Sequence, residues 1–303
     1  MDRERSASRG GKDRLAEEID RLLTEVGTEV DAVLEQHHAR PATLHDLHRN
    51  LRRLRTGLSV WEQLLGAAER ERLVPVDRRI RRLARLVGQV RDRDVAADLL
   101  GQVATGAADP AERESLDRYR ARLRDDARTG RELLRASLRS EKEAHLLDEA
   151  RSALGARAAP VPAAQLRRVL VDHRTESHDD VLAAHKKARR RPSMNRLHRL
   201  RIRVRRLRQI TDLAQSVVPE ADATVTGSFR RLQQDLGRLH DLDTLLLNLD
   251  PSLRESSWAA ALRKERRGLR REIAGRLEKL RPSQVAILAP ARPTARARSP
   301  HVL

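Results

Sequence analysis

Two blocks of this sequence each occur twice, in the same order and at nearly the same separation. Residues 44–55 read LHDLHRNLRRLR, and residues 197–208 read LHRLRIRVRRLR. Residues 81–94 read RRLARLVGQVRDRD, and residues 230–243 read RRLQQDLGRLHDLD. The copies are offset by 153 and 149 residues respectively. Because a repeated segment usually forms the same local structure twice, we predict a tandem duplication whose halves are related by a pseudo-twofold axis.

Apolar residues recur at steps of three and four along almost the whole chain, as in Leu15, Ile19, Leu22 and Val26. This period is typical of helices that bury one face, so we predict an all-α protein of two helical bundles. The Ala/Pro-rich stretch 155–163 is the predicted linker between a first half, 12–154, and a second half, 164–285. Residues 1–11 and the arginine-containing residues 286–303 lack periodicity and are predicted to be disordered tails.

The first block places basic side chains beside an apolar helical face. At about 100° per residue, the basic positions share an arc about 80° wide, and the leucines fill a neighbouring arc. The second copy has the same arrangement, and neither basic arc contains a carboxylate. Such a row is predicted to line a groove, where an anion would relieve the repulsion and accept charge-assisted hydrogen bonds. The alternative is a solvated basic face neutralised by acidic neighbours. The two rows are His45, His48, Arg52 and Arg55, and His198, Arg201, Arg205 and Arg208.

The second block adds a basic group from another helix to the same groove. Arg81, Gly88 and Arg91 share a face, as do Arg230, Gly237 and His240 in the other copy. The glycines are expected either to allow close helix approach or to end the helices.

The aspartates of the second block have two interpretations. We predict that Asp94 and Asp243 cap the following helices and that Asp92 and Asp241 orient a basic neighbour. A divalent cation held by the Asp-x-Asp pair is the alternative.

The charge balance narrows the class of partner. The formal net charge is +19, and 57 of the 63 cationic side chains are arginine, while there are only four aromatic residues and no cysteine. Disulfides, zinc fingers and thiol nucleophiles are therefore excluded. An aromatic platform for single-stranded bases is excluded as well. A polyanion recognised by its charge is favoured. No apolar run is long enough for a signal peptide or a membrane span, so we expect a cytoplasmic protein.

The doubled blocks resemble those of the CHAD family, the conserved-histidine α-helical domain, over about residues 13–285. The resemblance implies two related bundles around a basic channel, binding of inorganic polyphosphate, and association with polyphosphate granules. His48 departs from the family pattern, which usually has arginine at that position. The family often joins a β-tunnel domain that processes triphosphate, and no strands for one are predicted here. We therefore expect a non-catalytic monomer or homodimer without a metal or cofactor. The polyphosphate-binding residues are predicted to be His45, His48, Arg52, Arg53, Arg55, Arg81, Arg91, His198, Arg201, Arg205, Arg206, Arg208, Arg230 and His240.

Several other functions compete with this interpretation. An HD-type metal phosphohydrolase would use a His-Asp pair such as His45-Asp46, His178-Asp179 or His240-Asp241. Zinc could be held by His37 and His38 together with His45 and His48. Non-specific binding of a nucleic-acid duplex agrees with the net charge, although a convex recognition helix would suit a duplex better than a groove. A helical scaffold without a ligand is the remaining alternative.

Overall fold

The computed structural model describes residues 11–35, 40–104, 109–140, 145–155, 162–218 and 227–279. Both predicted tails lie outside this part of the chain, except that residue 11 already belongs to the first helix. Most of the predicted linker also lies outside it.

The described residues form helices without any strand, which confirms the predicted all-α class. A short 3-10 turn, Pro251–Leu253, precedes the last helix. Among the described helices, none combines the length and the apolar character needed to cross a membrane. The helices are α1 (Gly11–Glu35), α2 (Pro41–Glu62), α3 (Ala67–Ala104), α4 (Pro110–Arg139), α5 (Leu146–Gly155), α6 (Ala163–Arg190), α7 (Met194–Val217), α8 (Gly227–Leu247) and α9 (Ser257–Lys279).

Local sequence explains where several helices begin. Pro41 stands in the first turn of α2, where its fixed φ suits a helix and its missing N–H costs nothing. Asp109 caps α4 by accepting a hydrogen bond from the backbone N–H of Ala111, again with a proline in the first turn.

Helices that follow one another in the chain make the most extensive contacts, in the pairs α1–α2, α2–α3, α3–α4, α6–α7 and α8–α9. Helices α2 and α7, which carry the two copies of the first block, also contact each other, as do α3 and α8, which carry the second. The larger core takes buried residues from both sides of the predicted linker, including Trp61 and Leu207. A smaller core joins the later parts of α3 and α8 to α4 and α9 around Trp258. The division into two duplicated halves stays a prediction.

The predicted helix caps in the second block are wrong. Asp94 lies within α3, where it accepts hydrogen bonds of 2.6 and 2.7 Å from Arg131 of α4. Asp243 lies within α8 and accepts one of 2.5 Å from Arg266 of α9. Both helices continue past these aspartates, so no free backbone N–H is available for a cap. The carboxylates instead neutralise arginines on the helices packed against them.

Candidate anion-binding cleft

A cleft of about 1300 Å³ lies between α2 and α3 on one side and α7 and α8 on the other, with two residues of α6 at its lining. His198 and Arg230 are the two predicted site residues that do not line it. Arg230 is exposed near the start of α8, away from the cleft. The other predicted residues are brought together at the lining: His45, His48, Arg52, Arg53, Arg55, Arg81, Arg91, Arg201, Arg205, Arg206, Arg208 and His240.

Close packing of α2 on α3 fixes the position of the His48 ring. Its Nδ1 lies 3.2 Å from the carbonyl oxygen of Ala84. A Cβ at Gly88 would lie only 3.0 Å from Cε1 of the same ring. Glycine therefore lets the His48 ring approach closely, since a Cβ would push the ring back by a few tenths of an ångström. The expectation that Gly88 ends the helix is wrong because α3 continues to Ala104. The corresponding Gly237 has nothing within 4 Å of such a Cβ.

Three arginines from opposite walls form the centre of the cleft. Arg52 of α2 and Arg201 and Arg205 of α7 are half-buried. Among the described residues, none of the three has a carboxylate within 4.0 Å. Burial, followed by the charges of the other arginines, lowers the pKa of Arg52 to about 9. The same causes lower the pKa of Arg205 to about 10. Burial also lowers the pKa of Arg201, but Asp241 and Asp92 act on it in the opposite direction. The described chain therefore leaves the positive charges of Arg52 and Arg205 uncompensated.

Other arginines of the cleft do have acidic neighbours. Arg55 and Arg81 share Asp77, at 3.8 and 2.6 Å. The remaining pairs have N–O separations of 3.1–3.8 Å. The alternative of a neutralised basic face thus describes these arginines and not Arg52 or Arg205. These further pairs are Arg53–Glu18, Arg91–Asp92, Arg206–Glu176 and Arg208–Asp212.

The cleft histidines are held in their neutral form. Burial and Arg52 lower the pKa of His48 to about 4. Burial and Arg201 lower the pKa of His240 to about 4. The rings of His240 and His198 are 5.2 Å apart, so His198 lies behind a lining residue although it does not itself line the cleft. At neutral pH these rings carry no charge. Because the Nδ1 of His48 donates to the Ala84 carbonyl oxygen, the neutral His48 ring leaves its Nε2 as an acceptor.

Two aspartates lie among the arginines at the His240 end. Arg91 donates a 3.1 Å hydrogen bond to Asp92, which agrees with the predicted orienting role. Burial raises the pKa of Asp92 and of Asp241, while the charges of Arg91 and Arg201 act in the opposite direction. In the part of the chain that the structure describes, no group of three or more histidine and carboxylate side chains is arranged to hold a metal ion. His37 and His38 of the zinc alternative lie outside the described residues.

Sequence reasoning missed several lining residues. Arg85 lies four residues before Gln89 on the cleft face of α3, and its spacing from Arg81 could have identified it. His173 and Ser177 of α6 also line the cleft, although they belong to neither repeated block and no sequence pattern marks them.

A sequence model described as the CHAD domain matches residues 17–250. The chain belongs to the CHAD family. The CHAD fold is also found by structural comparison with the crystal structure of the CHAD domain from the plant Ricinus communis, at 21% identity and a TM-score of 0.62. That match covers 93% of this chain and 94% of the plant domain. PptA from Streptomyces chartreusis matches with 15% identity and a TM-score of 0.63, over 89% of this chain and 98% of PptA. No curated protein sequence matches this CHAD chain.

Proposed function

We propose that this protein captures inorganic polyphosphate in the cleft without hydrolysing it. Membership of the CHAD family supports a polyphosphate-related role. The observation that carries the proposal is the cluster of Arg52, Arg201 and Arg205, in which Arg52 and Arg205 are repelled by neighbouring arginines and only Arg201 is partly offset by Asp241 and Asp92. A phosphate chain supplies the missing negative charge and offers paired oxygens that match the planar fork of each guanidinium.

The shape and composition of the cleft favour a phosphate chain over a nucleic-acid duplex. The basic row lies between helices, whereas recognition of a duplex normally uses a helix that protrudes into a groove. Among the described residues, none that lines the cleft is a Phe, Tyr or Trp on which single-stranded bases could stack.

Capture without hydrolysis is part of the proposal. Arg91 and Arg201 act on Asp92 and Asp241, and positive charges in these positions oppose the binding of a divalent cation. We expect no release of orthophosphate when the protein is incubated with polyphosphate and Mg²⁺. Binding of this kind would also place the protein at polyphosphate granules in the cytoplasm, which imaging of a fluorescent fusion in polyphosphate-rich and polyphosphate-depleted cells would test.

The direct test removes two central charges and compares the result with the same charge change elsewhere. In the test variant, Arg52→Gln is combined with Arg205→Gln. In the control, Arg118→Gln is combined with Arg128→Gln on the exposed face of α4. Titration calorimetry with polyphosphate at ~0.15 M salt is expected to show an affinity at least tenfold lower for the test variant and only slightly lower for the control.

A competition experiment addresses specificity. Labelled polyphosphate bound to the wild type is challenged with duplex DNA, RNA and heparin at the same salt concentration. Displacement by unlabelled polyphosphate at much lower concentrations supports the proposal. Equal displacement by all four polyanions, or equal losses in the two double variants, would show that the protein binds polyanions through its overall charge instead.

A further inference from the structure

The cleft contains a second kind of lining, which belongs to neither repeated block. His173 and Ser177 stand one helical turn apart on α6, and both side chains reach the cleft. His173 is 6% exposed and Ser177 is 1% exposed. Neither Nε2 of His173 nor Oγ of Ser177 has a hydrogen-bond partner among the described residues. We call these two residues the α6 floor.

Two buried polar atoms without a partner in the described protein need a partner from outside it. A buried donor or acceptor without a partner costs about 1–3 kcal/mol, so such groups are normally satisfied by protein, water or a bound molecule. Side chains at positions i and i+4 lie on the same side of a helix, so one group could contact both. A small apolar pair would have closed this wall of the cleft without that cost.

The α6 floor lies beside one particular charge. Glu176, the residue before Ser177, is 3.8 Å from Arg206. Burial and, next, the charge of Arg206 lower the pKa of His173, so its ring is neutral at neutral pH. Glu176 and Asp172 act on the pKa of His173 in the opposite direction to Arg206. With its proton on Nε2, this ring and the Ser177 hydroxyl give two neutral donors near the guanidinium of Arg206, which also has the Glu176 carboxylate 3.8 Å away. An acceptor-rich anionic group fits them.

We propose that the α6 floor, together with Arg206, binds the terminal phosphate of a polyphosphate chain. This inference rests on the proposed binding of polyphosphate in the cleft. A terminal phosphate has one more non-bridging oxygen and more negative charge than an internal phosphate, so it offers a fuller set of acceptors to His173, Ser177 and Arg206. Because the floor atoms are buried at the side of the cleft, the proposal places a chain end there and not a segment that continues in both directions.

The test compares chains of one length with free ends and with both ends blocked as phosphoramidates. Titration calorimetry of the wild type is expected to show roughly tenfold tighter binding of the free-ended chain, the effect of about one charge-assisted hydrogen bond. In His173→Phe combined with Ser177→Ala, both chains are expected to bind with the affinity that the wild type has for the blocked chain. Ser177→Ala alone, which suits a helix, is expected to remove part of the preference.

The matched control is Thr211→Val. Thr211 is also 1% exposed and its hydroxyl also has no partner in the described chain, but it does not line the cleft. This variant is expected to keep the full preference for free ends. Arg52→Gln is expected to weaken the binding of both chains and to preserve their ratio. Blocking the chain ends also removes negative charge, which could by itself favour the free-ended chain. In that case the double variant would still prefer the free-ended chain, and this result would overturn the proposal.

Orthophosphate tests whether the free form of the same group occupies the α6 floor. Saturating orthophosphate is expected to reduce the preference of the wild type for free ends, and an unchanged preference would assign the floor to chain ends only. Equal affinity of the wild type for free-ended and blocked chains would overturn this inference and leave the proposed function intact. Absence of any polyphosphate binding by the wild type would overturn the proposed function itself.

Discussion

Replacing Arg52 by methionine is expected to stabilise the empty protein while weakening the binding of polyphosphate. Methionine keeps a long apolar stem and a good helix propensity but removes the charge. The pKa of Arg52 is lowered to about 9, first by burial and then by Arg205 and Arg201. The guanidinium is therefore an unfavourable group in the empty cleft.

The size of the effect follows from the pKa. Because one pKa unit corresponds to 1.36 kcal/mol, the distance between an ordinary guanidinium and about 9 sets an upper bound of about 5 kcal/mol. Solvent and counterions at the cleft reduce this, so we expect a net gain of about 1–3 kcal/mol. For a chain of this size, that corresponds to a rise in Tm of about 2–6 °C. The destabilisation caused by the charged Arg52 side chain is present in full below about pH 9 and disappears only as the pH rises further. It can therefore be measured at pH 7.5.

Thermal unfolding is measured with and without polyphosphate for the wild type, Arg52→Met and the exposed control Arg118→Met. The cleft variant is expected to have the higher Tm without ligand and the smaller increase when ligand is added, whereas the control stays within about 0.5 kcal/mol of the wild type. A lower Tm for Arg52→Met without ligand would refute the reasoning, because it would show that Arg52 makes a stabilising contact in the folded protein.

Three further predictions concern single groups. Bound phosphate is expected to raise the pKa of His48 and His240 from about 4. The affinity for polyphosphate should therefore strengthen as the pH falls from 8 to 6, with proton uptake that calorimetry in different buffers can detect. An affinity that does not change over this pH range would contradict the prediction. Gly237→Ala is expected to raise the free energy of unfolding by up to about 1 kcal/mol and to leave the affinity for polyphosphate unchanged. Gly88→Ala should weaken polyphosphate binding because it displaces the His48 ring. Equal effects of the two variants on affinity would count against this packing. Burial raises the pKa of Glu29 to about 7, so the charged carboxylate destabilises the fold. The free energy of unfolding of the wild type should therefore fall between pH 5 and pH 8. A similar fall in Glu29→Gln would show that other groups cause the pH dependence.

The sequence was informative wherever a local period determines the outcome. The spacing of Leu47, Leu51 and Leu54 alone indicates which side of α2 is buried, because successive residues of a helix turn by a fixed angle. The basic positions beside them follow by the same geometry. Most of the residues predicted for the cleft do meet there for this reason.

The failures concern partners that are distant in the sequence. Asp94 is paired with Arg131, 37 residues away, and nothing near Asp94 indicates that the helix continues. Gly88 and Gly237 occupy equivalent positions in the repeated block, yet only the first has a ring packed against it. His173 and Ser177 reach the cleft from a helix without any repeated motif.

By itself, the sequence determined the helices, their buried faces and the two basic rows, since these depend on the fixed rise and rotation of the α-helix. Only the tertiary structure decided which arginines have a carboxylate beside them and which remain uncompensated, as Arg52 and Arg205 do within the described chain. The energy of a charge depends on burial and on every neighbour within a few ångströms, and those neighbours come from helices that are far apart along the chain.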